Sequence, residues 1–248
     1  MRLPDALVPL REPKFAWFYA ARVTSTAGST MAPIALAFAV LDLTGSASGL
    51  GLVLAARTLP MVLFLLVGGV VSDRFSRSAV VRTSNLLSAL TQGTVAYLVI
   101  SGHAELWMLV ALEAANGTVS AFTMPAMEGI VPQIAPRSHL QQANALLSFS
   151  RAGLTVVGPT VAALLVAGVG SGWALAFDAV SWLAAALLLT RVSLPARTDS
   201  RDASMLRDLR EGWSVFTGNT WLWVVVAGFG VMNAIHAGAW FTLGPALA

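Results

Sequence analysis

The sequence contains no cysteine, and only 11% of its residues are charged. The lack of cysteine excludes disulfide bonds, thiolate nucleophiles and cysteine-ligated metals. Soluble domains carry roughly 25% charged residues, whereas this chain combines little charge with 56% hydrophobic residues. Such a composition predicts an integral membrane protein whose surface largely faces lipid.

The sequence also lacks the motifs of common enzyme active sites. It has no HExxH metal-binding motif, no P-loop and no G-x-S-x-G nucleophile elbow. We therefore predict that the protein is not an enzyme and binds no cofactor or metal. The formal net charge of +3 does not indicate nucleic-acid binding, because the basic residues cluster on one side of the predicted membrane.

Long apolar runs divide the chain into seven predicted membrane spans, so the predicted fold class is an all-α, polytopic transmembrane bundle. Most runs reach the ~20 residues that a helix needs to cross a bilayer. The only long polar segment, 191–219, has apolar residues at helical spacing and predicts an amphipathic helix on the membrane surface. The predicted spans are about 15–41, 49–71, 79–100, 106–127, 143–169, 173–190 and 220 onward.

The basic residues are distributed very unevenly between the two sides of the predicted membrane. Of the 15 Lys and Arg residues, twelve lie on the same side of the predicted membrane as the N-terminus and three lie within spans. The three turns on the opposite side hold none. Because cytoplasmic loops are enriched in Lys and Arg, we predict a multi-pass protein of the cell inner (plasma) membrane with a cytoplasmic N-terminus. The bases on that side are Arg2, Arg11, Lys14, Arg74, Arg77, Arg82, Arg137, Arg191, Arg197, Arg201, Arg207 and Arg210.

Charged residues within the spans fall into two layers. Arg57, Glu113 and Asp178 lie at a similar depth, roughly 10–13 Å from the outer face at 1.5 Å per residue, while Arg22 and Arg151 form a second layer nearer the cytoplasm. An unpaired charge at such depth costs at least ~2.5–3.5 kcal/mol. We therefore expect Arg57 to pair with Glu113 or Asp178. Together with Asn116, these five residues are predicted to lie on a substrate or proton pathway. The alternative for the Arg57 pair is that it simply locks helices together.

Residue spacing predicts a polar face on the fourth span and a closely packed face on the fifth span. Glu113, Asn116 and Gly117 share one face of the fourth span, which is typical of a polar cavity lining. The fifth span contains two glycines five residues apart followed by proline, which favours close helix approach and a local bend. These last residues are Gly153, Gly158 and Pro159.

The turn between the second and third spans concentrates charge where two membrane helices meet. With these residues the chain resembles the major facilitator superfamily of secondary transporters, whose corresponding loop reads G-x-x-x-D-R-x-G-R. Ser76 replaces the second glycine of that motif. The residues that match it are Gly69, Asp73, Arg74 and Arg77.

Other segments are similar to the drug and siderophore exporter branch of this superfamily. They are Gly153 to Pro159, Thr44-Gly-Ser, Asn144-Ala-Leu-Leu-Ser and Phe177-Asp-Ala-Val-Ser-Trp. The resemblance implies a six-helix N-terminal domain (1–190) built of two three-helix repeats, a cytoplasmic amphipathic linker (191–219) and the first helix of a second domain (220–248).

The resemblance also implies a function, which is proton-coupled export of small amphipathic molecules by alternating access. Asp73 and Arg77 would hold the cytoplasmic gate, with Glu128 at the end of the fourth span as an acidic partner. Because such transporters have about twelve helices in two halves, we expect a missing C-terminal half or a partner subunit. The alternative is a half-size membrane protein without transport of its own that acts as a scaffold or partner subunit.

Overall fold

The computed structural model describes residues 5–192, 194 and 205–237, and the described part is helical with no strand. Each predicted span matches a helix to within three residues at both ends wherever both ends are described, which confirms the all-α fold class. The helices are α1 (Pro13–Thr44), α2 (Ala47–Arg74), α3 (Arg77–Ser101), α4 (Leu106–Glu128), α5 (Val131–Ile134), α6 (Leu140–Val169), α7 (Ser171–Leu189), α8 (Met205–Gly218) and α9 (Thr220–Ala237), with short 3-10 segments at Asp5–Arg11 and Arg137–His139.

Four of the described helices, α1, α2, α6 and α7, are long and apolar enough to cross a membrane. Helices α3 and α4, with 25 and 23 residues, have similar lengths but lower hydropathy. Their polar residues, such as Gln92 and Glu113, are buried inside the bundle and lower the apolar content without facing lipid. The protein is therefore a multi-pass bundle, and the seven-span topology stays a prediction.

The C-terminal described helices meet at a sharp bend. The end of α8 and the beginning of α9 are inclined to each other by 89°, and α9 is exposed along most of its length. This geometry agrees with a surface helix followed by a span. Part of the predicted linker, with Arg197 and Arg201, lies outside the described residues, as do Arg2 and residues 238–248.

Two apolar clusters close the two ends of the bundle, and a polar layer lies between them. Along α1, for example, Phe15 and Phe18 belong to one cluster and Leu36 and Val40 to the other. Helices α3, α4 and α7 also pass from one cluster through buried polar residues to the other. Burial of apolar side chains at both ends thus separates the polar layer from the ends of the bundle.

Helices α2 and α4 form the closest crossing, in which each helix contributes a glycine. A Cβ at Gly68 would overlap the carbonyl oxygen of Ala121, and one at Gly117 would overlap the carbonyl oxygen of Arg57. Small residues allow such backbone contact between membrane helices. The crossing holds Arg57 and Glu113 beside each other.

Candidate functional site

Glu113 lies at the centre of the polar layer and is bound from two other helices. Arg57 Nη1 on α2 donates to its Oε2 at 3.2 Å, and Gln92 Nε2 on α3 donates to its Oε1 at 3.0 Å. Glu113 is 0% exposed, whereas the Arg57 side chain is 26% exposed. The predicted pairing of Arg57 is therefore confirmed with Glu113, and the guanidinium keeps access to the exterior of the described bundle.

The predicted polar face of α4 is closed by neighbouring helices rather than open to a cavity. Asn116 is 1% exposed and accepts a hydrogen bond from Ser88 on α3 at 3.1 Å, while Gly117 lies against the backbone of α2. The cavity-lining interpretation was wrong for these residues because α2 and α3 pack directly on that face. The polar character of the face serves contacts between helices.

Sequence reasoning missed the contribution of α3 to this layer. Asn85, Ser88 and Gln92 are all buried, and they follow Val81 at alternating spacings of four, three and four residues. Such spacing places them on one stripe of a helix. This helical spacing of polar residues was visible in the sequence. It was missed because the sequence analysis looked for charged residues within the spans, and these side chains are uncharged.

Asp178 on α7 joins the same layer without an ion pair. Its carboxylate lies within electrostatic range of Arg57 and Glu113, yet neither oxygen accepts a well-formed hydrogen bond from the described residues. The side chain uses the space that Gly28 leaves on α1, where an added Cβ would lie 2.7 Å from Oδ1. The layer thus gathers two acids and one base from α2, α4 and α7.

The second predicted layer is brought together in a separate cavity. Arg22 on α1 and Arg151 on α6 line a space of about 110 Å³, together with Glu128 at the end of α4. Glu128 therefore faces these arginines, whereas Arg77 donates to the carbonyl oxygen of Gly129 at 2.8 Å. The predicted pairing of Glu128 with the hinge is not found among the described contacts, because adjacent residues at a helix end point in different directions.

The charged hinge between α2 and α3 has a defined hydrogen-bond pattern. Arg77 Nη2 donates to Asp73 Oδ1 at 2.8 Å, so the guanidinium ties the end of α2 to the segment after α4. Arg74 lies in the last turn of α2, where a cation interacts favourably with the helix dipole. Apart from the neighbouring backbone of its own helix, no described atom lies within 4 Å of a Cβ added at Gly69, so the structure shows no close packing at this glycine.

Ser76, which departs from the motif, is accommodated without strain. Its backbone has φ −60° and ψ 118°, a region open to any residue. Its hydroxyl donates to the carbonyl oxygen of Leu194 at 2.7 Å, and Ser78 Oγ accepts from the Leu194 amide at 3.3 Å. Serine therefore fastens the hinge to the segment that follows α7.

The glycines of the fifth-span motif are not equivalent. A Cβ at Gly158 would overlap the side chain of Thr30 on α1, whereas no described atom lies within 4 Å of one at Gly153. Helix α6 continues through Pro159 to Val169. Close approach is thus confirmed at Gly158 alone.

A multi-pass helical bundle with charged residues buried between its spans has the architecture of a membrane transporter. The chain belongs to the major facilitator superfamily, in the family described as transmembrane secretion effectors, whose profile matches residues 5–248. This family assignment confirms the resemblance seen in the hinge and exporter segments.

Several curated relatives are drug-efflux proteins by name. The chain is 24% identical over 216 residues to "Macrolide efflux protein A" of Streptococcus pyogenes, an alignment that covers 86% of this chain and 53% of that protein. It is 30% identical over 216 residues to "Multidrug efflux pump Tap" of Mycobacterium bovis BCG, which covers 82% of this chain and 50% of that protein. The chain spans about half the length of the curated relatives it matches.

Proposed function

We propose that this chain forms the N-terminal half of a proton-coupled exporter of small amphipathic molecules. It would lie in the cell inner (plasma) membrane with its N-terminus in the cytoplasm, as the distribution of basic residues predicts. Residues 1–190 would form the six-helix domain, 191–219 the cytoplasmic linker and 220–248 the first helix of the second domain. The other half of the pathway would come from further chain or from a partner subunit.

The observation that carries this proposal is the buried layer of Arg57, Glu113 and Asp178. Ionisable residues inside membrane bundles are costly, and they commonly mark ion pathways and proton relays. Glu113 is held by Arg57 and Gln92, so a change in its protonation would alter contacts among three helices at once. Such coupling links proton movement to the rearrangement of helices that alternating access requires.

The gate would be the hinge, where Arg77 joins Asp73 to the end of α4. The family match and the efflux functions in the relatives' names support transport out of the cell. Rocking of the two halves would open and close a central pathway, with Gly158 allowing α6 to lie close against α1. These roles together describe a secondary active transporter of the major facilitator type.

The experiment that tests the coupling is Glu113→Gln in everted membrane vesicles from cells that express the complete gene. Glutamine keeps the shape and one acceptor oxygen but removes the titratable group. We expect proton-driven accumulation of ethidium to be lost while the protein stays folded. Asp42→Asn is the matched control, because it removes an exposed carboxylate far from the layer. Unchanged proton-driven flux in folded Glu113→Gln would rule out a coupling role.

A further inference from the structure

The cavity between α1, α4 and α6 has an unusual balance of charge. It is lined by two arginines, Arg22 and Arg151, and by one acid, Glu128. The two guanidinium groups are close enough to repel each other, while Glu128 attracts Arg22. One acid can balance one of the two cations. The cavity therefore has one positive charge in excess among the described residues.

Neither guanidinium is engaged by the part of the chain that the structure describes. Among those residues, neither side chain forms an ion pair within 4.0 Å or a hydrogen bond, in contrast to Arg57 and Arg77. Arg22 is half-buried, and its uncompensated charge is costly within a membrane bundle, whereas Arg151 is exposed and open to an incoming group. The donors of Arg22 and Arg151 are consequently available for a ligand.

The two arginines are brought together by the local packing of α1 and α6. Tyr19 Oη and Ser150 Oγ are hydrogen-bonded at 2.5 Å and connect these helices directly. Arg22 lies three residues after Tyr19 on the same helical face, and Arg151 is adjacent to Ser150. The hydrogen bond thus fixes the separation between the helices at the level of the two guanidinium groups.

The volume of the cavity limits what it can hold. About 110 Å³ is well below the roughly 300–1,000 Å³ of pockets that enclose drug-sized ligands. It can admit a carboxylate or sulfonate group, whose planar or clustered oxygens suit the fork of guanidinium donors. The apolar body of such a molecule would have to lie outside the cavity, along the exposed surface of the bundle.

We propose that Arg22 and Arg151 bind the anionic group of the transported molecule, so that the substrates include amphipathic organic acids. The inference rests on the proposed export function and names a substrate class for it. The Arg57 layer and the two-arginine cavity then have separate tasks. The first serves coupling, and the second serves recognition.

The test compares two probes that differ in charge, 1-naphthoate and its uncharged amide, 1-naphthamide. Binding is measured by tryptophan fluorescence on protein from the complete gene in phosphatidylcholine bilayers. We expect naphthoate to bind at least tenfold more tightly than the amide, which is about the effect of one charge-assisted hydrogen bond. Arg22→Gln and Arg151→Gln should each weaken naphthoate binding about tenfold and leave naphthamide binding unchanged.

Arg82→Gln is the matched control, because it removes an exposed cation outside the cavity. Arg151→Lys is a second variant for the case in which the glutamine variants fold poorly. It keeps the positive charge and should therefore retain part of the preference for naphthoate over naphthamide. Equal binding of both probes, or an equal effect of Arg82→Gln, would overturn the proposal. Loss of the preference when phosphatidylglycerol is added would also overturn it, since the cavity would then hold a lipid headgroup.

The outcome for this cavity is separable from the outcome for export. Proton-driven ethidium accumulation without a preference for naphthoate would leave the exporter standing and refute anion recognition. A preference for naphthoate without proton-driven flux of either naphthoate or ethidium would refute the coupled exporter and leave an anion-binding membrane protein. Each proposal can therefore be refuted without refuting the other.

Discussion

The crossing of α2 and α4 makes a quantitative prediction about two adjacent glycines. A Cβ at Gly68 would overlap the carbonyl oxygen of Ala121 and lie 2.7 Å from its carbonyl carbon, whereas one at Gly69 meets no described atom within 4 Å. Replacing each by alanine adds the same methyl group to the same helix. The difference between the two variants therefore reports the packing of α2 on α4.

The size of the effect follows from the geometry. Carbon atoms in contact are normally about 3.5–4.0 Å apart, so Gly68→Ala must move the helices about 1 Å apart. Overpacking of this kind costs about 1–3 kcal/mol. The gain in helix propensity, about 1 kcal/mol for alanine over glycine, applies to both variants and cancels. We expect Gly68→Ala to be about 1–3 kcal/mol less stable than Gly69→Ala.

The assay is equilibrium unfolding in detergent followed by tryptophan fluorescence, with the free energy of unfolding compared between the two variants. The crossing also positions Arg57 beside Glu113, so Gly68→Ala should lower proton-driven transport as well. Equal stability of the two variants, or a greater loss in Gly69→Ala, would refute the assignment of Gly68 as the contact residue.

Two further predictions concern the hinge and the topology. Asp73→Asn should change the free energy of unfolding by less than about 1 kcal/mol, because the Asp73 side chain is 60% exposed and surface ion pairs contribute little. The same change should reduce transport if the hinge is a gate, and normal flux would contradict that role. Since the chain has no cysteine, single cysteines can map its orientation. His103 lies in the turn between α3 and α4, and Ser138 lies in the 3-10 segment before α6, on the opposite side of the predicted membrane. We expect an impermeant thiol reagent to label His103→Cys from outside intact cells and Ser138→Cys only in everted vesicles. The reverse pattern would refute the cytoplasmic N-terminus.

The sequence was sufficient to predict the helices and the class of protein. Apolar runs of sufficient length can satisfy their backbone groups in lipid only as helices, so the span boundaries follow closely from composition along the chain. The hinge motif was equally readable, because its residues are close in sequence and their spacing is local. Even the departure at Ser76 left the pattern recognisable.

The sequence could not determine which side chains meet. Depth follows from a rise of 1.5 Å per residue, so Arg57, Glu113 and Asp178 could be placed in one layer. Which acid binds Arg57 depends on how the helices are arranged and rotated, and the structure selects Glu113. The same limit explains why Glu128 was assigned to the hinge but faces Arg22.

Sequence alone therefore determined that the chain is a helical membrane protein, the extents of its described helices and the shared level of Arg57, Glu113 and Asp178 along them. The tertiary structure decided the partners of those charges, the role of Gly68 and the assembly of the two-arginine cavity. The physical reason is that helix formation and membrane insertion depend on residues near each other along the chain. The contacts between helices depend on side-chain packing between segments that are distant in sequence.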